Sequence, residues 1–112
     1  MAQKPADVEG LIRWHAAAHG VDPDVMVAVA RCESSLIPGR QSDHTYRAGN
    51  RWGFPAGTRE RSFGLAQIHL PDHPDVTEAQ AKDPDFAADF MARGFAAGNA
   101  RWWTCARTLG HA

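Results

Sequence analysis

Asp22-Pro23-Asp24-Val25-Met26-Val27-Ala28-Val29-Ala30-Arg31-Cys32-Glu33-Ser34-Ser35 is the stretch on which the reading of this chain turns. Asp22 is a good N-cap, and Pro23 suits the first helical position, where its missing N–H leaves no bond unmade. Met26, Val29 and Ala30 carry the helix on to about Ser34. Val25, Val29, Cys32 and Leu36 share one face of it, with Met26 beside them. Glu33 follows Val29 by four residues and so projects from the edge of that apolar face. A carboxylate there loses hydration, which disfavours its charged form and raises its pKa, as a general acid requires near neutral pH. The plainer alternative is a helix-end glutamate turned to solvent or paired with Arg31.

Helix signals dominate on both sides. Pro5 suits a first helical position, Val8, Leu11, Ile12 and His15 follow helical spacing, and Gly20 after His19 is a stop. Between Leu36 and Arg61, Pro38, Gly39, Gly49, Gly53, Pro55 and Gly57 interrupt any period. That texture predicts a long loop, with at most a short hairpin in it, and loops this long in compact domains tend to be functional. Gly64 to His69 reads as a short helix or turn, stopped by Pro71 and Pro74. Thr77 with Gln80 is a capping box, and Asp83-Pro84 opens a longer helix. Its stripe of Phe86, Phe90, Met91 and Phe95 is expected in the core, while Gly94 and Gly98 mark close packing or the helix end. Arg101 to Leu109 supplies a last helix. The expected fold class is all-α, α+β at most through a small hairpin, as a single compact domain over residues 1–112.

The chain has 112 residues, 44% hydrophobic and 22% charged, enough for one core and too apolar for disorder. Its net charge is −1 with neutral histidines, and no dense Lys/Arg run occurs. Nucleic acid is therefore not an expected partner, and a helix-turn-helix regulator built on Asp22 to Gly39 lacks a basic recognition helix. No apolar stretch approaches the roughly 20 residues of a membrane span. Charged residues and two histidines within the first twenty residues exclude a signal-peptide core there. His15 and His19, like His69 and His73, are four apart, but no set of ligands has zinc spacing, so neither metal nor cofactor is expected.

Ala30-Arg31-Cys32-Glu33-Ser34-Ser35 and Ser62-Phe63-Gly64-Leu65-Ala66-Gln67-Ile68, taken as an ordered pair, resemble lytic transglycosylases of the soluble, goose-lysozyme-like type. In that family a Glu-Ser pair ends a core helix, and a Gly-Leu-Met-Gln-like turn packs beside the glutamate. The likeness covers roughly residues 20 to 70 and implies a compact lysozyme-like helical domain. It also implies cleavage of the bond between N-acetylmuramic acid and N-acetylglucosamine in bacterial peptidoglycan, leaving 1,6-anhydro ends. Glu33 would act as acid and then base. Gln67 would bond sugar or peptide groups, Ser34 would support the glutamate, and the Gly64 turn, with Ile68 and His69 following, would let backbone approach the substrate. Ala66 stands where the family has Met, implying a roomier pocket. Trp102-Trp103-Thr104-Cys105-Ala106 replaces a later Ala-Tyr-Asn-type stretch.

The long loop adds Asp43, Tyr46, Trp52 and Glu60. Trp52, between Gly49 and Gly53, is the best sugar-stacking candidate there, Trp14 is expected in the core, and of Trp102 and Trp103 one should turn inward. If Asp43 or Glu60 reaches the cleft, a hydrolytic lysozyme using a second carboxylate is open. A glycan-binding or virion structural domain without activity is the remaining alternative. Cys32 and Cys105 read as two buried thiols or one disulfide; the cell-wall target implied by the resemblance, in an oxidising compartment, favours the disulfide. Action outside the cytoplasm, as a periplasmic, secreted or virion-associated protein, follows from the same resemblance, with a removed leader, a larger polypeptide or a phage tail as the expected route.

Overall fold

In the computed structural model, which describes residues 3–112, helix α1 spans Val8–Ala18 and α2 spans Pro23–Ser34. Asp7, not the turn around Pro5, starts α1: its carboxylate accepts the Gly10 N–H. Pro5 instead folds back over Gly10, where an added Cβ would lie 2.7 Å from the Pro5 Cβ. Asp22 caps α2 by accepting the Asp24 N–H, with Pro23 at the first helical position. α1 and α2 pack together, and α1 also packs along α4 (Pro84–Ala96). There His15 Nε2 lies 2.7 Å from Asp85 and His19 Nε2 3.1 Å from Asp89. The spacing of four on both helices aligns the two pairs as rungs.

Residues 36–61 form an irregular loop tied down by two isolated antiparallel bridges, Gln41 to Phe63 and Thr45 to Arg59. Hairpin-like pairing does occur within it, where Tyr46 N–H donates to Thr58, Gly57 N–H to Tyr46 and Glu60 N–H to His44, but the regular hairpin begins only at its end. Strand β1 (Ser62–Phe63) pairs antiparallel with β2 (Ile68–His69), Ser62 opposite His69 and Phe63 opposite Ile68. Gly64 to His69 is therefore a turn entering a strand rather than a short helix. The reversal rests on Gly64 at φ +81° and Gln67 at φ +46°, which bring the apolar pair Phe63 and Ile68 together in the core.

Helix α3 (Glu78–Lys82) begins at a complete capping box, with Gln80 N–H donating to Thr77 and Thr77 N–H to Gln80. Along α4, Met91 is buried and Phe86, Phe90 and Phe95 pack partly buried against the core. Gly94 and Gly98 divide the two meanings foreseen for them. A Cβ at Gly94 would meet Trp103 Cη2 at 2.5 Å, whereas Gly98 ends the helix at φ +83°. The last helix is broken. A 3₁₀ turn over Ala100–Trp102 precedes α5 (Thr104–Thr108), because extended Trp103 swings its indole inward to donate to the Ala66 carbonyl at 2.7 Å. Trp102 is left outside. Trp14 lies at the core's edge rather than in it, half-buried with the Lys4 ammonium 5.3 Å over its ring. α1 buries Leu11, Ile12, His15 and Ala16 instead. The product is a compact, mostly helical domain in which α1, α2, α4 and the hairpin share one core.

Candidate active site

Glu33 stands one residue from the C-terminal end of α2, at the mouth of a cleft of about 520 Å³. Its Oε1 accepts the backbone N–H of Cys105 at 3.0 Å, at the start of α5. The preceding residue, Cys32, is bonded to that same Cys105 in a disulfide, with Cα atoms 5.9 Å apart. The carboxylate and its donor are thus held by a covalent link between adjoining residues. Burial pushes the Glu33 carboxyl above its ordinary range, and the charge of Glu60 adds to this; the Cys105 N–H, Arg107 and His44 pull the other way. A carboxyl so placed retains its proton further toward neutral pH than a solvated one.

Gln67 lines the same cleft, where the turn meets it. Its amide nitrogen donates to the carbonyls of Arg40 (3.1 Å) and Gly64 (3.0 Å), which fixes the orientation of the amide. No donor among the described residues bonds its Oε1, which leaves that oxygen free to accept. Three residues of the motif serve the fold instead. Ser34 is 0% exposed and donates to the Ala30 carbonyl one turn back, so it does not reach the cleft. Ile68 is buried beneath the floor, in the core. Gly64 is glycine because protein backbone approaches it: an added Cβ would lie 1.7 Å from the Ala81 carbonyl oxygen of α3. The close approach expected for substrate is made by α3.

The loop reaches the cleft through a chain of hydrogen bonds. Tyr46 Oη accepts the Arg61 N–H at 3.1 Å and lies 2.8 Å from His69 Nε2, while His69 Nδ1 lies 2.9 Å from Asp72. In the simplest arrangement Tyr46 donates to His69, and His69 donates to Asp72. Tyr46 is itself buried and stacked 4.5 Å from Phe54, so it braces the loop from behind. Both nitrogens of His69 are occupied, leaving its ring edge at the cleft wall. Trp52 donates from Nε1 to Asp72 at 2.8 Å and packs edge-on against His69, 36% exposed beside a neighbouring hollow. Burial raises the Asp72 carboxyl, but the bonds from Trp52 and His69 outweigh it and hold the group low.

Both loop carboxylates line the same cleft as Glu33. Asp43 is exposed and paired with Arg40 (3.2 Å) and Arg59 (3.4 Å). Glu60 accepts only the Ser62 hydroxyl, at 2.7 Å, and forms no ion pair among the described residues. Of the three carboxyl groups lining this cleft, Glu33 and Glu60 are consequently the two without an ion-pair partner among the described residues.

Against protein-family models, curated proteins and solved structures alike, the chain finds no match. Among the described residues no cluster of three His, Cys, Asp or Glu side chains is arranged to hold a metal ion, and no helix is long and apolar enough to cross a membrane. The three non-glycine residues with positive φ in that part of the chain are Ser35 (+55°), Leu36 (+59°) and Gln67 (+46°). Two follow directly after the end of α2 that carries Glu33, and the third lines the same cleft. Such conformations cost of order 1–3 kcal/mol each and tend to gather at functional sites.

Sequence reading missed the Arg40 carbonyl, which holds both Gly64 N–H and Gln67, and the Cys105 N–H. Backbone groups carry no residue-type signal. It also passed over Arg101 and Arg107, which are not paired with acids in the chain's local pattern and so were detectable as unexplained cations.

Proposed function

We propose that this domain is a lysozyme-like enzyme that cleaves the β-1,4 bond between N-acetylmuramic acid and N-acetylglucosamine in bacterial peptidoglycan, as a lytic transglycosylase. The observation that carries the reading is Glu33 itself: a carboxyl of raised proton affinity, held by one N–H in a cleft that Gln67 also lines. The protonated Glu33 gives its proton to the glycosidic oxygen as the C1–O bond breaks. The resulting carboxylate then takes the proton of the muramoyl 6-hydroxyl while that oxygen bonds to C1, which regenerates the acid and consumes no water. Gln67 Oε1 accepts from a sugar hydroxyl or amide, fixing the ring against Glu33. The Cys32–Cys105 disulfide supports action in an oxidising compartment outside the cytoplasm.

Glu60 favours a second reading. Lacking a cation and sharing the cleft, it is suited to direct a water molecule to C1, which would make the enzyme a hydrolase. Mass spectrometry of products from purified peptidoglycan separates the two. Muropeptides with 1,6-anhydro ends, absent with Glu33→Gln, support the transglycosylase; reducing ends that vanish with Glu60→Gln support the hydrolase. No product from the folded wild type overturns both.

A further inference from the structure

The cleft at Glu33 continues into a second hollow of about 410 Å³, the two sharing Gln67, His69, Trp102 and Trp103 in their walls. Charge is sorted between them. Asp43 is neutralised by Arg40 and Asp72 by Arg51, so these pairs cancel. What remains is Glu33 and Glu60 in the first hollow, and Arg101 and Arg107 in the second. Neither arginine has a carboxylate at ion-pair distance among the described residues. Arg107 is nonetheless held in place, donating to the Arg101 carbonyl and, at 3.4 Å, to the Thr104 hydroxyl. The Arg107 guanidinium is thereby anchored on the Arg101 backbone, and both arginines line one hollow without a carboxylate partner, in a chain whose net charge is −1.

Trp102 forms the wall common to both hollows, 53% exposed and tilted against Trp103 at 6.0 Å. An aromatic face beside paired cations suits a ligand that is part sugar and part carboxylate. An uncharged glycan has no use for the cations. We propose that Arg101 and Arg107 form a subsite for a carboxylate on the peptide substituent of the glycan, with Trp102 supporting the sugar that bears it. The inference rests on the peptidoglycan reading of Glu33 and adds to it a requirement: the strand must still carry its peptides.

The test compares cleavage of peptide-bearing peptidoglycan with cleavage of the same glycan after enzymatic removal of the peptides and amidation of the lactyl carboxylates that removal exposes, using the intact protein. Charge-assisted bonds of this kind predict a kcat/KM about tenfold higher on the peptide-bearing strand, expressed in KM and weakened by salt. Arg101→Glu should bring the ratio of the two substrates to about one, while Arg101→Lys should keep most of it. Equal wild-type rates on both substrates would overturn the subsite and leave the Glu33 reading standing. So would an undiminished preference in Arg101→Glu. Failure of the wild type to cut either substrate would overturn the enzymatic reading itself.

Discussion

Cys105 meets the end of α2 twice: its sulfur is bonded to Cys32, and its backbone N–H donates to Glu33 Oε1 at 3.0 Å across 72 residues of sequence. One residue thus ties the C-terminal segment to the fold and sets the surroundings of the carboxyl group proposed to act on the glycan. Stability and chemistry are coupled at this point.

The coupling makes the disulfide testable on two scales. Closing a loop with a sequence separation of 73 restricts the unfolded chain by about 4 kcal/mol. Cys32→Ser with Cys105→Ser should lower stability by an amount of that order. Where the variant is still folded, glycan cleavage should fall as well, because α5 no longer holds its N–H against Glu33. Denaturant titrations with and without reductant, followed by activity at a temperature where both forms are folded, give the result. Unchanged activity in a folded, reduced protein would show that the Cys105 donor is dispensable.

Glu33 should be a stability liability at neutral pH. Its carboxyl is raised by burial, so the folded state binds that proton more tightly than the unfolded chain does. The associated stability is fully present below the unfolded pKa and is lost as pH rises through the folded one. Glu33→Gln should therefore melt higher at pH 7 while losing activity. The gain should vanish below about pH 4, where the wild-type carboxyl is protonated in both states. Thermal melts at the two pH values decide it, and a variant less stable than wild type at pH 7 would contradict the raised pKa.

Glu60 adds its charge to the same effect, so its removal should be visible in the pH profile. A general acid works in its protonated form, and activity falls on the alkaline side as that proton is lost. Glu60→Gln should move this alkaline limb of kcat to lower pH. If the limb stays in place while kcat collapses, Glu60 has a direct role in the reaction.

Gly64→Ala should be among the most damaging small substitutions. The new methyl group would lie 1.7 Å from the Ala81 carbonyl oxygen, at a φ of +81°. Backbone faces it, so relief requires moving α3 off the hairpin, at a cost of about 3 kcal/mol or more. Gly94→Ala meets the Trp103 ring instead and should cost less, since a side chain has more freedom to give. Chemical denaturation of the two variants tests the order.

Acid should loosen α1 from α4 before it affects the hairpin. The hydrogen bond from His15 holds the Asp85 carboxyl below its ordinary range despite some burial, and Lys4 helps. A depressed carboxylate contributes stability that is present above its unfolded pKa and lost as pH falls through its folded one. Asp85 is 44% exposed at its side chain, so the contribution is at most about 1 kcal/mol after screening. Asp85→Asn should be weaker than wild type at pH 7, with the gap closing under about pH 4. A gap that persists in acid would assign the loss to packing.

The helices were legible because their signals are local. Asp22 with Pro23, Thr77 with Gln80, and Asp83 with Pro84 each mark a start through bonds to groups within three residues, and tertiary context left them in place. The misreadings occurred where a distant partner competes. Asp7 overrode Pro5 at the start of α1. Trp103 broke the last helix to reach the Ala66 carbonyl 37 residues away. Gly64 looked like a gap for ligand, and the space it leaves is filled by α3. Ser34 and Ile68, adjacent to chemistry in sequence, turn away from it because helix and strand periodicity alternates faces.

By itself the sequence determined a mostly helical domain and marked Glu33 as a carboxylate at the edge of an apolar face, since both follow from periodicity and capping over a few residues. Only the tertiary structure decided that Cys32 joins Cys105 and that a backbone N–H meets Glu33. It alone brought Glu60 into the cleft and gathered Arg101 and Arg107 in the next hollow. Those are proximities between segments remote in the chain, and desolvation and charge interactions depend on distance in space, which no local pattern encodes.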